Sequence, residues 1–323
     1  MNRMLKTTAV AATFCAVAGA GIVGYGETTA QAAQAQTQAQ AQVQAQAQSA
    51  SSTAARHGHG HGHGHGHGDS FSETKKIRVG GYSVNVSCSG RSAARKPVVV
   101  LMAGGGDGLD TMAGLQKTLS KKARVCSYDR LGEGESDQPN GTQTINDSSR
   151  ILTGVLDRVT GDRPVVLAGH SLGGLIAARY APDHRDRIKG LVLMDATIPA
   201  LTAGVSKAIP ESATGMAAEL RDQTIAVNEG QNPEKFIIVD AKVRSAGNIP
   251  VQIIRHESQY AEVPDYGPAL EEMWAEGQEQ WRAISGRSRI GVAAGSGHYI
   301  HVDRPDIAVK AIQRVTAQAT ARS

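Results

Sequence analysis

The sequence predicts an α/β fold, a mostly parallel sheet with helices on both faces. Three observations carry this. From residue 77 onward, short apolar runs alternate with longer segments whose apolar residues recur at helical spacing. The runs at 97–102 (PVVVLM), 164–168 (PVVLA) and 188–194 (IKGLVLM) are almost continuously apolar, as strands buried on both faces require. Two of the strand ends run into glycine-rich loops, where the backbone can approach a ligand closely.

The elements follow in order. Residues 77–88 alternate apolar and polar across Gly80-Gly81, which reads as a hairpin with one apolar face. The buried strand 97–102 ends in Ala103-Gly104-Gly105-Gly106-Asp107-Gly108; no Lys-Ser/Thr follows, which argues against a P-loop. Residues 109–121 read as a helix, 123–128 as a strand and 148–159 as a helix. Strand 164–168 leads into helix 175–180, and strand 188–194 ends at Asp195. Residues 197–248 are polar, with glycine, proline and helical patches. A strand at 250–254 follows, then a helix at 268–284 with Met273, Trp274 and Trp281 near one face. A strand at 289–294 and a helix at 305–317 complete the pattern.

The first part of the chain has a different character. Residues 1–32 carry Arg3 and Lys6, then an alanine-rich apolar run, the plan of a signal peptide with Ala30-Gln31-Ala32 or Ala18-Gly19-Ala20 as the cleavage site. The apolar run is short for a membrane span, so no membrane partner is expected once it is removed, and a secreted, extracellular protein is expected; an uncleaved anchor is the alternative. Residues 33–69 begin as alternating Gln and Ala and end in six His-Gly pairs, a disordered linker by composition. His57, His59, His61, His63, His65 and His67 can hold a divalent metal such as Zn, Ni or Cu, although nothing fixes a coordination geometry. The predicted domain is 70–323, about 250 residues and enough for one large core. Setting aside Arg3, Lys6, Arg56 and Glu27 from totals of 34 basic and 30 acidic residues leaves a near balance. With few aromatics and no basic block, nucleic-acid binding is not indicated. Cys88 and Cys126 can pair in an oxidising compartment or stay as buried thiols.

The chemistry concentrates at 164–180. Strand, then Gly169-His170-Ser171-Leu172-Gly173, then helix is the order of a nucleophile elbow. A serine hydroxyl is a weak nucleophile and must be presented to a base and a substrate together. A tight turn does this, and side chains at 169 and 173 would clash with it. The helix then directs its free N–H groups back at Ser171, and the N–H of Leu172 is placed to hold an oxyanion.

The chain resembles the α/β-hydrolase fold superfamily from about residue 77 to the end. The resemblance rests on the glycine loop after Met102, Ser-Tyr-Asp-Arg-Leu-Gly-Glu-Gly-Glu-Ser at 127–136, Gly-His-Ser-Leu-Gly-Gly at 169–174, Leu-Val-Leu-Met-Asp at 191–195 and Gly-Ser-Gly-His at 295–298. It implies His298 as the general base, with His301 as competitor and His170 as a packing residue. It implies an acid after a late strand. The usual place, after Ile254, holds Arg255-His256-Glu257 without a Gly-x-x-Asp loop, so Asp195 is preferred, followed by Glu257 and Asp265. The order Ser171, Asp195, His298 fits the fold. The resemblance also implies Gly105, or its neighbour Gly104, as the second oxyanion donor, and a cap at about 197–248. There Ile209, Met216, Leu220, Ile225, Phe236 and Ile237 line an acyl pocket or merely pack the cap. Neighbouring second and fourth strands in this fold imply a Cys88–Cys126 disulfide.

The implied activity is that of a secreted serine hydrolase acting on a small-molecule substrate. Carboxylic esters with small to medium acyl groups are the expected class, cleaved through an acyl-enzyme with no cofactor and no required metal. Amidase, peptidase or lactonase chemistry on the same fold stays open, as does a metal-binding protein with an inert domain. Epoxide hydrolase or dehalogenase chemistry would want an aspartate at position 171.

Overall fold

A computed structural model describes residues 72–93 and 96–321. The expected leader at 1–32 and the whole of the linker at 33–69, including its six histidines, lie outside the described residues. The described residues form an eight-stranded sheet in the order β1-β2-β4-β3-β5-β6-β7-β8. β1 (Thr74–Val79) and β2 (Tyr82–Ser89) make the hairpin across Gly80-Gly81, and β2 pairs antiparallel with β4 (Val125–Tyr128). β3 (Val98–Met102), β5 (Val165–His170), β6 (Ile188–Met194), β7 (Val251–His256) and β8 (Ser288–Ala293) continue the sheet in parallel.

Both faces of the sheet are covered, which is why its central strands read as continuous apolar runs. Along β3, Val98, Val100 and Met102 point to one core, and Val99 and Leu101 to the other. The first core is closed by α2 (Ile145–Thr160) and α3 (Ser171–Tyr180), the second by α1 (Ala113–Leu119) and, at the end of the chain, α8 (Pro305–Thr320). The segment expected to be a helix at 109–121 opens as a 3-10 turn, Leu109–Met112, before α1 begins. α2 starts three residues before the expected 148. Asn146 and Asp147 resemble turn residues in sequence, but Asp147 completes a capping box with Thr144.

Residues 197–248, between β6 and β7, hold α4 (Leu201–Ala208) and α5 (Gly215–Asn228). Val205, Ile209 and Ala217 pack with Val263 and with Leu270 of α6 (Gly267–Gln280) in a satellite core. Ile209 and Phe236 are buried in packing, and Leu220 and Ile225 lie against the satellite core, while Met216 is exposed. The short α7 (Ile300–Asp303) precedes α8. No helix among the described residues is long and apolar enough to cross a membrane.

Cys88 and Cys126 face each other in the β2–β4 register and are joined by a disulfide. The parallel register also brings the carboxyl ends of β5, β6, β7 and β8 side by side, and that edge is where open α/β sheets bind ligands.

Candidate active site

Ser171 begins α3 immediately after the fully buried β5. Its φ of 49° is in the left-handed region, a strained conformation for a side chain other than glycine. The flanking glycines are sterically required. A Cβ on Gly169 would lie 2.5 Å from backbone atoms of Gly173 and Gly174, and one on Gly173 would press on the carbonyl oxygens of Met102 and Ala103. Gly174 is confined by Ala196, one residue past Asp195, and the Thr197 N–H donates to the Ser171 carbonyl at 3.0 Å. These contacts lock the elbow to the glycine loop on one side and to the end of β6 on the other.

Gly105 sits beside Leu172, with space for a Cβ 3.5 Å from the leucine side chain. Among the described residues, neither the Gly105 nor the Leu172 N–H donates to a protein acceptor. The loop that carries Gly105 is gripped by charged side chains that the sequence reading did not single out. Arg130 donates to the carbonyls of Ala103 (2.6 Å) and Gly104 (2.7 Å), and Glu133 Oε1 accepts from the Gly106 N–H at 2.7 Å. Arg130 also makes a buried bidentate pair with Glu234, from the segment between β6 and β7, at 2.7 Å for each bond. The available signal was a pair of ionisable residues, Arg130 and Glu133, in the loop after a buried strand.

Asp195 lies at the end of β6 with φ 46° and is fully buried. Its Oδ2 is 2.6 Å from His298 Nδ1 and 2.8 Å from His256 Nδ1. Its Oδ1 accepts from the His256 backbone N–H at 3.0 Å and from the Trp274 indole at 2.9 Å. Burial alone would raise its pKa, but these donors and the neighbouring imidazoles hold it well below the usual carboxylate range. Of the three acids considered from sequence, Asp195 is the one brought to His298. Glu257 instead accepts the Gly295 N–H at 2.8 Å, bracing the loop that carries His298, and Asp265 makes no side-chain hydrogen bond or ion pair among the described residues.

His298 therefore donates from Nδ1, which leaves its lone pair on Nε2, and that atom has no protein partner among the described residues. The Ser171 hydroxyl likewise keeps its hydrogen-bonding positions open. His170 ties the two regions together: its Nε2 lies 2.9 Å from the His298 carbonyl and its ring 4.6 Å from the His298 ring. His301 packs 4.7 Å from His170 and does not reach Asp195. Burial lowers its pKa to about 4 and also holds that of His170 well below the usual imidazole value, so both rings are neutral.

His256 was noted in the sequence only as a departure from the expected acid position. It stands between Asp195 and Glu271, whose Oε2 is 2.9 Å from its Nε2. Asp195, His256 and His298 bring three ligand-type atoms within 4.8 Å of one another, the separation at which side chains can share a metal ion. The fit is poor. Bonds of about 2.1 Å in a tetrahedron set ligand atoms roughly 3.4 Å apart. Here both imidazole nitrogens sit at 2.6 and 2.8 Å from one oxygen, the spacing of charge-assisted hydrogen bonds.

The sheet order, the strand-turn-helix elbow and the groups at the carboxyl ends of the strands define one fold class, the α/β-hydrolase fold. A family profile described as alpha/beta hydrolase fold matches residues 97–227. The uncharacterized protein YqjL of Bacillus subtilis strain 168 is 24% identical over 230 residues, 71% of this chain and 87% of that protein. The chain spans 31% of the mycobacterial relatives it matches at 30% identity. Among solved structures, the enol-lactonase from Burkholderia xenovorans LB400 is similar with a TM-score of 0.52 at 20% identity, over 75% of this chain and 99% of that one. Carboxylesterase CesB from Bacillus subtilis is similar with a TM-score of 0.52 at 17% identity, over 77% and 91%.

Proposed function

We propose that this chain is a secreted serine hydrolase that cleaves carboxylic esters of small to medium acyl groups. In this reading Ser171 Oγ attacks the ester carbonyl while His298 Nε2 takes its proton. Asp195 holds the tautomer of His298 and stabilises the imidazolium that forms. The N–H groups of Leu172 and Gly105 receive the oxyanion. Collapse of the tetrahedral intermediate expels the alcohol, which takes the proton from His298. Water, deprotonated by the same histidine, then releases the acid and frees Ser171. Every step uses side chains and N–H groups of the chain itself.

The observation that carries the reading is the 2.6 Å contact of His298 with buried Asp195, which leaves Nε2 open, together with a serine held at positive φ where β5 turns into α3. An enol-lactonase and a carboxylesterase among the similar structures suit carbonyl chemistry of this type. The disulfide suits an oxidising compartment, and recovery of a shortened chain from culture medium would test secretion. The decisive experiment is labelling by a fluorophosphonate probe alongside turnover of p-nitrophenyl esters of graded chain length. Labelling and turnover are expected in the wild type and absent in Ser171→Ala. A folded wild type that takes no label removes the reading.

A further inference from the structure

Asp195 carries two histidines, and one of them is free to act on a substrate. His298 reaches Oδ2 through Nδ1 and leaves Nε2 open. His256 has both ring nitrogens engaged, Nδ1 at 2.8 Å from Asp195 Oδ2 and Nε2 at 2.9 Å from Glu271 Oε2. A neutral imidazole has a single N–H, and only the imidazolium donates from both nitrogens. Each carboxylate is held in its ionised form by further donors. Asp195 Oδ1 takes the His256 backbone N–H and the Trp274 indole. Glu271 Oε1 takes the N–H groups of Gln259 at 2.5 Å and Tyr260 at 2.6 Å, with Ser258 Oγ at 3.3 Å. The shared proton therefore belongs on the ring.

We infer that His256 is a resident imidazolium clamped between Asp195 and Glu271, and that this pair is a positioning device for the proposed site. The inference rests on the roles proposed above for Ser171, Asp195 and His298. It assigns His256 two tasks. The first is orientation: its backbone N–H and its ring N–H grip different oxygens of Asp195, which fixes the carboxylate plane and leaves a lone pair of Oδ2 directed at His298. The second is electrostatic. When His298 gains its proton in the reaction, the line His298, Asp195, His256, Glu271 alternates plus, minus, plus, minus. The resident charge on His256 opposes protonation on the far side of Asp195 in the resting state, and Glu271 offsets that charge so the buried unit stays compensated.

The remaining groups around this line are few. Asp107 and His301 lie within electrostatic range of His298, and the rings of His170, Tyr299 and Trp274 pack beside it. Trp274 and Tyr260 face His256. Burial works against a charge on His256, but the hydrogen bonds and charges of Asp195 and Glu271 outweigh it and raise its pKa.

The test is His256→Gln, which keeps an amide donor for Asp195 and removes the charge. The acid limb of kcat/KM for a p-nitrophenyl ester is expected to move about one pH unit upward. Plateau kcat should fall by less than about tenfold, with KM within about twofold, because the altered group touches no substrate. A limb that stays in place or moves down overturns the inference. Should that variant fail to fold, nitrogen-15 NMR of the wild type decides. A His256 ring protonated on both nitrogens at about pH 8 supports the clamp, and a neutral ring overturns it. In Glu271→Gln that ring should turn neutral at lower pH, and an unchanged titration also overturns the clamp. Wild type that takes no fluorophosphonate label overturns the parent reading and the positioning role with it. Labelling that persists with an unmoved acid limb overturns the clamp alone.

Discussion

Asp195 accepts four hydrogen bonds while fully buried, so its charge is compensated entirely by the protein. Replacing it with Asn keeps the volume but puts an amide against donors and removes the tautomer control of His298. We expect Asp195→Asn to lower kcat/KM by about 10³–10⁴-fold, whereas Glu257→Gln, which acts on the Gly295 N–H, stays within about tenfold; steady-state ester kinetics checks both. Glu133 gives a pH prediction. Burial first, and the charge of Glu234 second, push its carboxyl up to about 8. The folded protein thus holds a proton that the unfolded chain releases in the ordinary glutamate range. The stabilisation is full below that range and is lost as pH rises toward about 8. Glu133→Gln keeps an acceptor for the Gly106 N–H and removes the titration, so the fall in Tm between about pH 5 and pH 8.5 should become smaller than in the wild type.

The nucleophile elbow works as an element because neighbouring backbone fills the space around it. Gly169→Ala would set a methyl 2.5 Å from peptide atoms of the next turn, and no side-chain rotation can relieve that. We expect a loss of about 2–4 kcal/mol, read by urea unfolding, together with lost fluorophosphonate labelling. The segment between β6 and β7 is tied to the glycine loop after β3 by Arg130, which pairs with buried Glu234 and donates to the carbonyls of Ala103 and Gly104. Glu234→Ala would strand the guanidinium in the interior and should cost about 3–5 kcal/mol by the same measurement.

On the scale of the whole molecule, the sheet collects groups from four consecutive parallel strands at one edge, while the disulfide fastens its antiparallel end. The bond closes a loop with a sequence separation of 38 and joins strand residues of β2 and β4, not the loops that carry the site. Reduction should therefore lower stability by about 2–4 kcal/mol and leave ester turnover at room temperature little changed. Intact mass before and after thiol alkylation, with a thermal melt on each sample, reads both outcomes.

The sequence by itself determined the fold class and the place of the strand-turn-helix elbow. Continuous apolar strands, helical spacing and glycines flanking Ser171 are local patterns, and local sterics dictates them. The preference for Asp195 needed the resemblance to the fold family as well, through the missing acid loop after Ile254. Only the tertiary structure decided which groups share the charge of Asp195. His256 and Glu271 lie on β7 and α6, and Arg130 and Glu234 are 104 residues apart, so neither pair has a spacing that marks it in the chain. Hydrogen bonds between such side chains depend on how strands and helices pack, and burial sets their protonation only after that packing exists.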